Sequence, residues 1–134
     1  MRIDIQLNVG QCSWQQISEA ALAAESAGYS AFWVVDHLSG GVMNAPTMPE
    51  CFTTLGALAA TTSRIGLGSL VVNAGLRNAA LLANSAATVQ NISGGRFILG
   101  LGAGASPAST FASELHAAGV GVLQSMTDRH AQLE

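Results

Sequence analysis

Four apolar runs start near residues 3, 31, 65 and 96. Their spacing is about 30 residues, the length of one strand-plus-helix unit. The recurrence is one of structure and not of letters, and it constrains the fold more than any other feature. Strands alternating with helices through right-handed crossovers predict parallel neighbours. An eight-unit barrel needs roughly 250 residues. A chain of 134 residues with four strands and three or four helices therefore predicts the α/β class and about half of a TIM barrel, one domain over residues 1–134.

Taken in order, Arg2 to Val9 predicts the first strand, with Ile3, Ile5, Leu7 and Val9 alternating. Ser13 and Gln16 form a capping-box pair for the helix that follows. Trp14, Ile17, Ala21 and Ala24 share one face of it, and Gly28 stops it. Ala31 to Val35 is the second strand and runs into Asp36-His37. Residues 38–48 form a long loop rich in Gly, Ser, Asn and Pro, the composition of a lid or binding loop. Pro49 suits a first helical position with Glu50 in the first turn, and Phe52, Leu55, Leu58, Ala59 and Thr62 give that helix its buried side. Ile65 to Val72 is the third strand, whose Gly66 and Gly68 predict tight curvature or close approach. Ala79 to Asn91 is a helix burying Leu82, Ala86 and Val89. Phe97 to Leu101 is an apolar run expected to be covered on both faces, closing in Gly100, Gly102 and Gly104. Residues 105–123 are weakly patterned, with a helix starting near Phe111 or only near Thr127.

Composition narrows the function classes. Only 10% of residues are charged, against about 25% in an average domain, and there is no lysine. So little polar surface predicts burial against another chain or a further part of the protein. The net charge of −3 without a basic cluster argues against nucleic acid. No apolar run approaches the roughly 18 residues of a membrane span. Asp4 interrupts any signal-peptide pattern, which makes a cytoplasmic location the expectation. Cys12 and Cys51 are too few and too far apart for a metal motif and read as reduced thiols.

Asp36-His37 stands at the carboxyl end of the second strand, where parallel α/β proteins place their sites. A histidine there can exchange a proton near neutral pH, and a carboxylate can orient it. Gly100-Leu101-Gly102-Ala103-Gly104-Ala105 matches a loose dinucleotide fingerprint, but it closes the fourth unit instead of the first and Glu114 follows too soon. A glycine floor beneath a flat ligand fits it better. Arg77 reads either as an anion contact or as a solvated loop residue. His116 and His130 read as surface residues, and Met43 and Met48 as packing residues flanking the loop.

Three stretches together resemble the bacterial luciferase-like monooxygenase family: Glu25-Ser26-Ala27-Gly28-Tyr29-Ser30-Ala31-Phe32-Trp33-Val34-Val35-Asp36-His37, the run Leu55 to Gly68, and the run Ser93 to Gly104. Asp128 to Glu134 is similar to the start of that family's next helix. The resemblance implies a TIM-barrel oxidoreductase that uses FMN or a deazaflavin (coenzyme F420) on a small-molecule substrate, with hydride transfer or oxygen activation at a ring in the barrel mouth. Carried over by position, it implies His37 as the catalytic histidine beside Asp36. Leu70-Val71 falls where many members have a non-prolyl cis peptide against the cofactor, and Gly102 and Gly104 would lie near the ring or its tail. Two places depart from the family pattern: Arg77-Asn78-Ala79-Ala80 lacks the usual proline, and Ala105 stands where some deazaflavin-dependent dehydrogenases carry an acid.

An isolated four-strand arc leaves two edges and the barrel interior open, so a homo-oligomer or a complementary half-barrel is the expected partner. Two other readings compete with the enzyme. One is a non-catalytic half-barrel used for oligomerisation or ligand binding. The other is a small doubly wound α/β protein with a nucleotide at the Gly100 to Gly104 loop.

Overall fold

In the computed structural model, which describes residues 1–134, the strands β1 (Ile5–Gln6), β2 (Ala31–Val34), β3 (Gly66–Ser69), β4 (Val72–Asn73), β5 (Phe97–Ile98) and β6 (Leu101–Gly102) alternate with helices. These are α1 (Trp14–Ala27), α2 (Cys51–Thr61) and α3 (Ala79–Ile92), followed by the short α4 (Ala112–Ala117) and α5 (Met126–Ala131). Strands β1, β2, β3 and β5 form one sheet in that order, and β4 pairs with β6 beyond them; every pairing is parallel. The third and fourth predicted strands are thus each split in two, and the first is shorter than expected. At the first break the Leu70–Val71 peptide is cis. Ser69, wholly buried, bridges the gap: its hydroxyl donates to the Gly100 carbonyl and accepts from the Gly100 amide, both at 3.0 Å.

The register sorts side chains into two rows. Ile5, Phe32, Leu67 and Phe97 are matched across the sheet and face the helices, where they join Ile17, Ala21, Leu55, Leu58 and Val89 in one core. Complete burial of a side chain such as Phe32 or Leu67 contributes about 1.5–3 kcal/mol. Gln6, Trp33, Gly68 and Ile98 form the matched row on the opposite, concave side. Gly68 is where it is because the Trp33 indole lies over it: a Cβ at Gly68 would collide with ring carbons of Trp33. The Trp33 Nε1 donates to Asp4 Oδ2 at 3.1 Å.

Local signals set the helix ends. Ser13 accepts from the Gln16 amide and Gln16 Oε1 accepts from the Ser13 amide, the predicted capping box, and Gly28 ends α1 at φ +84°. Trp14 departs from expectation and is 46% exposed. Glu50 is the N-cap of α2 and not a first-turn residue; its carboxylate accepts from the amides of Phe52 and Thr53. The fourth-strand run is covered on one side only: Ile98, Leu99 and Leu101 are each at least 40% exposed, because β5 is an edge strand here. The weakly patterned tail holds both candidate helices, α4 and α5.

Two polar side chains tie the amino-terminal ends of the strands. Arg96 makes five hydrogen bonds, to the carbonyls of Ala59, Thr62, Ile65 and Ser93 and to the Thr62 hydroxyl. Glu25 Oε2 accepts from the amides of Ser63, Arg64 and Ile65 at 2.6–2.9 Å. The Ile65 amide, then those of Arg64 and Ser63, hold the Glu25 carboxyl below its ordinary value against a smaller opposing effect of burial. A depressed folded value stabilises fully above the unfolded value, about 4.3 for Glu, and that contribution is lost as pH falls through the folded one. Glu25→Gln should therefore lose about 1 kcal/mol at neutral pH, discounted for solvent screening, and the gap to wild type in urea midpoints should close toward acid pH. A gap that stays constant with pH would contradict this.

Candidate functional site

The carboxyl ends of the strands converge on a cavity of about 290 Å3. Its wall is built from Asp36 and His37 after β2, Leu70 and Val71 between β3 and β4, Val72 and Asn73 of β4, Gly102 to Ala105 at the end of β6, and Phe111 before α4. All six residues singled out from the sequence, Asp36, His37, Leu70, Val71, Gly102 and Gly104, line this one cavity. Leu70 and Val71 are 46% and 43% exposed and form an apolar shelf. Gly102 is close-packed against that shelf, since a Cβ there would come within 2.6 Å of Val71 Cγ2. Gly104 sits at φ +84°, a conformation that favours glycine.

Asp36 is 4% exposed and both its oxygens are occupied. Arg77 holds it through Nη2 to Oδ1 at 2.5 Å and Nε to Oδ2 at 3.1 Å, and the Asn73 amide donates to Oδ2 at 3.1 Å. Arg77 also donates to Glu50 at 2.8 Å and lies 5.0 Å over the Phe52 ring. Neither sequence reading of Arg77 therefore holds: it is neither free for an external anion nor solvated, because Asp36 and Glu50 are its anions. The hydrogen bond to Asp36 is the main cause that keeps Arg77 protonated more firmly than usual. Burial pushes the Glu50 carboxyl up, but Thr53, Arg77 and the Phe52 amide lower it further, so the net displacement is downward. Cys51, beneath this network, is pushed far up by burial and then by Asp36 and Glu50, which leaves it an inert thiol.

The carboxylate that touches His37 is not the adjacent Asp36 but Glu114 of α4, from Oε2 to Nδ1 at 2.7 Å. Glu114 is 3% exposed, and its other oxygen accepts from the amides of Leu38 and Ser39 at 3.0 and 2.8 Å. The Phe111 ring stacks on the imidazole at 5.2 Å and 26°. Sequence reasoning missed both residues, which lie more than 70 positions from His37 and follow no local spacing rule; the apolar pair Phe111 and Leu115 beside Glu114 was the only trace.

The loop 38–48 is anchored, unlike a free lid. Thr47 donates to the Gly10 carbonyl, Asn8 Nδ2 to Met43 and Gln11 Nε2 to Asn44. Met43 and Met48 pack against the core. His116 and His130 are exposed, and no group of His, Cys, Asp and Glu is arranged to hold a metal ion. No helix is long and apolar enough to cross a membrane.

The family model for luciferase-like monooxygenases matches residues 1–133. The chain belongs to the luciferase-like monooxygenase family. Among curated members, the 5,10-methylenetetrahydromethanopterin reductase of Methanolobus tindarius is 39% identical over 89 residues, covering 66% of this chain and 25% of the relative. The 4-hydroxyprotoasukamycin monooxygenase of Streptomyces nodosus is 33% identical over 111 residues, covering 83% of this chain and 28% of the relative. This luciferase-like chain thus spans about a quarter of the length of those relatives. Among solved structures, an F420-dependent secondary alcohol dehydrogenase superposes with a TM-score of 0.79 at 21% identity, covering 98% of this chain and 38% of that one. A monooxygenase from Streptomyces bottropensis gives 0.76 at 24%, covering 98% and 39%. At these identities the superpositions speak to the fold, and the four-strand parallel arc corresponds to part of the luciferase-like barrel. Luciferase-like relatives include enzymes named for F420 and an oxygenating enzyme seen with FMN.

Proposed function

We propose that this chain carries the amino-terminal part of the cofactor mouth of a flavin- or deazaflavin-dependent oxidoreductase acting on a small molecule. The observation that carries the reading is the convergence of Asp36, His37, the Leu70–Val71 shelf and the Gly102 to Gly104 floor on one cavity at the strand ends. The residues present fit one face of a planar ring. An apolar shelf lies against side-chain-free backbone, and a donor–acceptor histidine stands at the rim. A volume of about 290 Å3 lies at the small end of the range for ligand pockets, enough for a ring but not for a long tail. No lysine or arginine lines it and Arg77 is already paired, so the phosphate of FMN or F420 finds no cation among these wall residues.

When bound, such a ring supplies hydride transfer or oxygen activation. Leu70, Val71, Gly102 and Gly104 would hold its face. His37 would hold or pass a proton at Nε2, and Asp36 keeps the wall in place through Arg77 and Asn73. The exposed edge at Ile98, Leu99 and Leu101 supports the companion reading that a second copy or a complementary half-barrel closes the trough.

The test is a titration of the full chain with FMN and with F420, followed by absorbance, with the oligomeric state measured on the same sample. Saturable binding by one of them, weakened at least about tenfold in Gly102→Val, is the expected result. The magnitude corresponds to about 1.4 kcal/mol, from a side chain at Gly102 pushing Val71 and its shelf out of place. Absence of binding to either cofactor in every oligomeric state would overturn the reading.

A further inference from the structure

We infer that Glu114 is a positioning residue that holds His37 as its Nδ1–H tautomer and so leaves Nε2 as the lone-pair nitrogen at the cavity wall. The inference rests on the reading of this cavity as the working site, but its test requires no cofactor.

The geometry leaves little freedom. Glu114 is buried and makes three hydrogen bonds: Oε1 accepts from the Leu38 and Ser39 amides, and Oε2 is paired with His37 Nδ1. Backbone amides only donate, so Oε1 is an acceptor without choice. With Oε1 committed to two backbone donors, we assign Oε2 as the acceptor of the 2.7 Å contact and its hydrogen to Nδ1. The stacked Phe111 ring fixes the plane of the imidazole. Nε2, the remaining nitrogen, makes no hydrogen bond within the chain. The neutral ring therefore offers an acceptor at Nε2, as a proton acceptor requires, and the protonated ring offers a donor at the same atom. Which nitrogen carries the proton in a histidine is set by the bond the other one makes.

The arrangement also makes the histidine depend on a segment far away in the chain. The short helix α4 reaches the loop after β2 through the one carboxylate, and the same side chain ties down the two residues that follow His37. Ala105 brings no carboxylate to this wall, so Glu114 is the acid that addresses His37.

The test is a long-range nitrogen–proton correlation spectrum of the histidine rings in the full chain, recorded about two pH units above the ordinary imidazole value. His37 is assigned by its absence in His37→Gln. Wild type should show the proton on Nδ1. Glu114→Gln should move it to Nε2. The Leu38 and Ser39 amides retain the glutamine carbonyl as acceptor, which turns the amide NH2 toward Nδ1, and Nδ1 must then accept. His116 and His130, both exposed, serve as internal references and should not change. A wild-type proton on Nε2, or a Glu114→Gln spectrum with the proton still on Nδ1, would overturn the assignment. The wild-type spectrum decides this even if the variant is unstable. Failure of cofactor binding, by contrast, would overturn the functional reading alone.

Discussion

Arg96→Ala is expected to lose about 3–5 kcal/mol of stability and with it most of the cooperative unfolding transition. Five hydrogen bonds leave together, and their acceptors include the last carbonyls of α2 and the lead-in to β3. Each bond to a charged donor contributes about 1.5–3 kcal/mol, and the sum is reduced because partly exposed carbonyls recover water. Against a total stability of about 5–15 kcal/mol for a typical domain, that is a large share. Lysine at this position has no planar fork and reaches one or two of the acceptors, so Arg96→Lys should recover less than half of the loss. Urea unfolding followed by circular dichroism measures both. An Arg96→Ala unfolding free energy within about 1 kcal/mol of wild type would contradict the account.

The second large effect is expected at the other end of the sheet. Arg77→Ala leaves the Asp36 carboxylate buried with the Asn73 amide as its remaining partner. Breaking one side of a buried pair costs about 3–5 kcal/mol, more than the pair itself contributes. The double variant Asp36→Asn with Arg77→Ala should therefore be more stable than Arg77→Ala alone. Completing the cycle with Asp36→Asn alone gives the coupling between the two, expected at about 1–3 kcal/mol. If Asp36→Asn deepened the loss instead, the ion pair would not be what holds the wall. Because Asp36 also fixes the start of the loop after β4 through Asn73, both single variants should weaken the cofactor binding proposed for the cavity that Asp36 helps to wall.

These two residues mark the boundary of what the sequence made legible. The strand-helix alternation was readable because each unit is a local pattern, and so were the Ser13–Gln16 box and the stop at Gly28. That His37, Gly102 and the Leu70–Val71 step meet at one end of the sheet was legible because they follow strands of a parallel series and because family-like stretches flank them. Strand lengths were not readable. An eight-residue apolar run such as Ile65 to Val72 has no mark showing that it breaks into Gly66–Ser69 and Val72–Asn73. Pairing partners settle that, and they lie in other units. Arg96 stood only as the start of the fourth strand, though four of its five acceptors lie 31–37 residues away. Arg77 and Glu114 escaped for the same reason. An ion pair between distant residues has no spacing signature, so Asp36 was assigned to its sequence neighbour His37, while its actual partner stands 41 positions on.

The matched row Gln6, Trp33, Gly68 and Ile98 has a consequence for how such an arc grows. Each strand runs parallel to the last and follows it in chain order, with none reversed. The outer rim of β5 presents its free amides and carbonyls with the same polarity as every interior strand. A further strand-helix unit added there inherits direction, facing and helix side from its neighbour, and nothing already built has to be rearranged. The assembly behaves like a spiral stair, in which any number of treads is a consistent object and only the last determines whether the circle is complete.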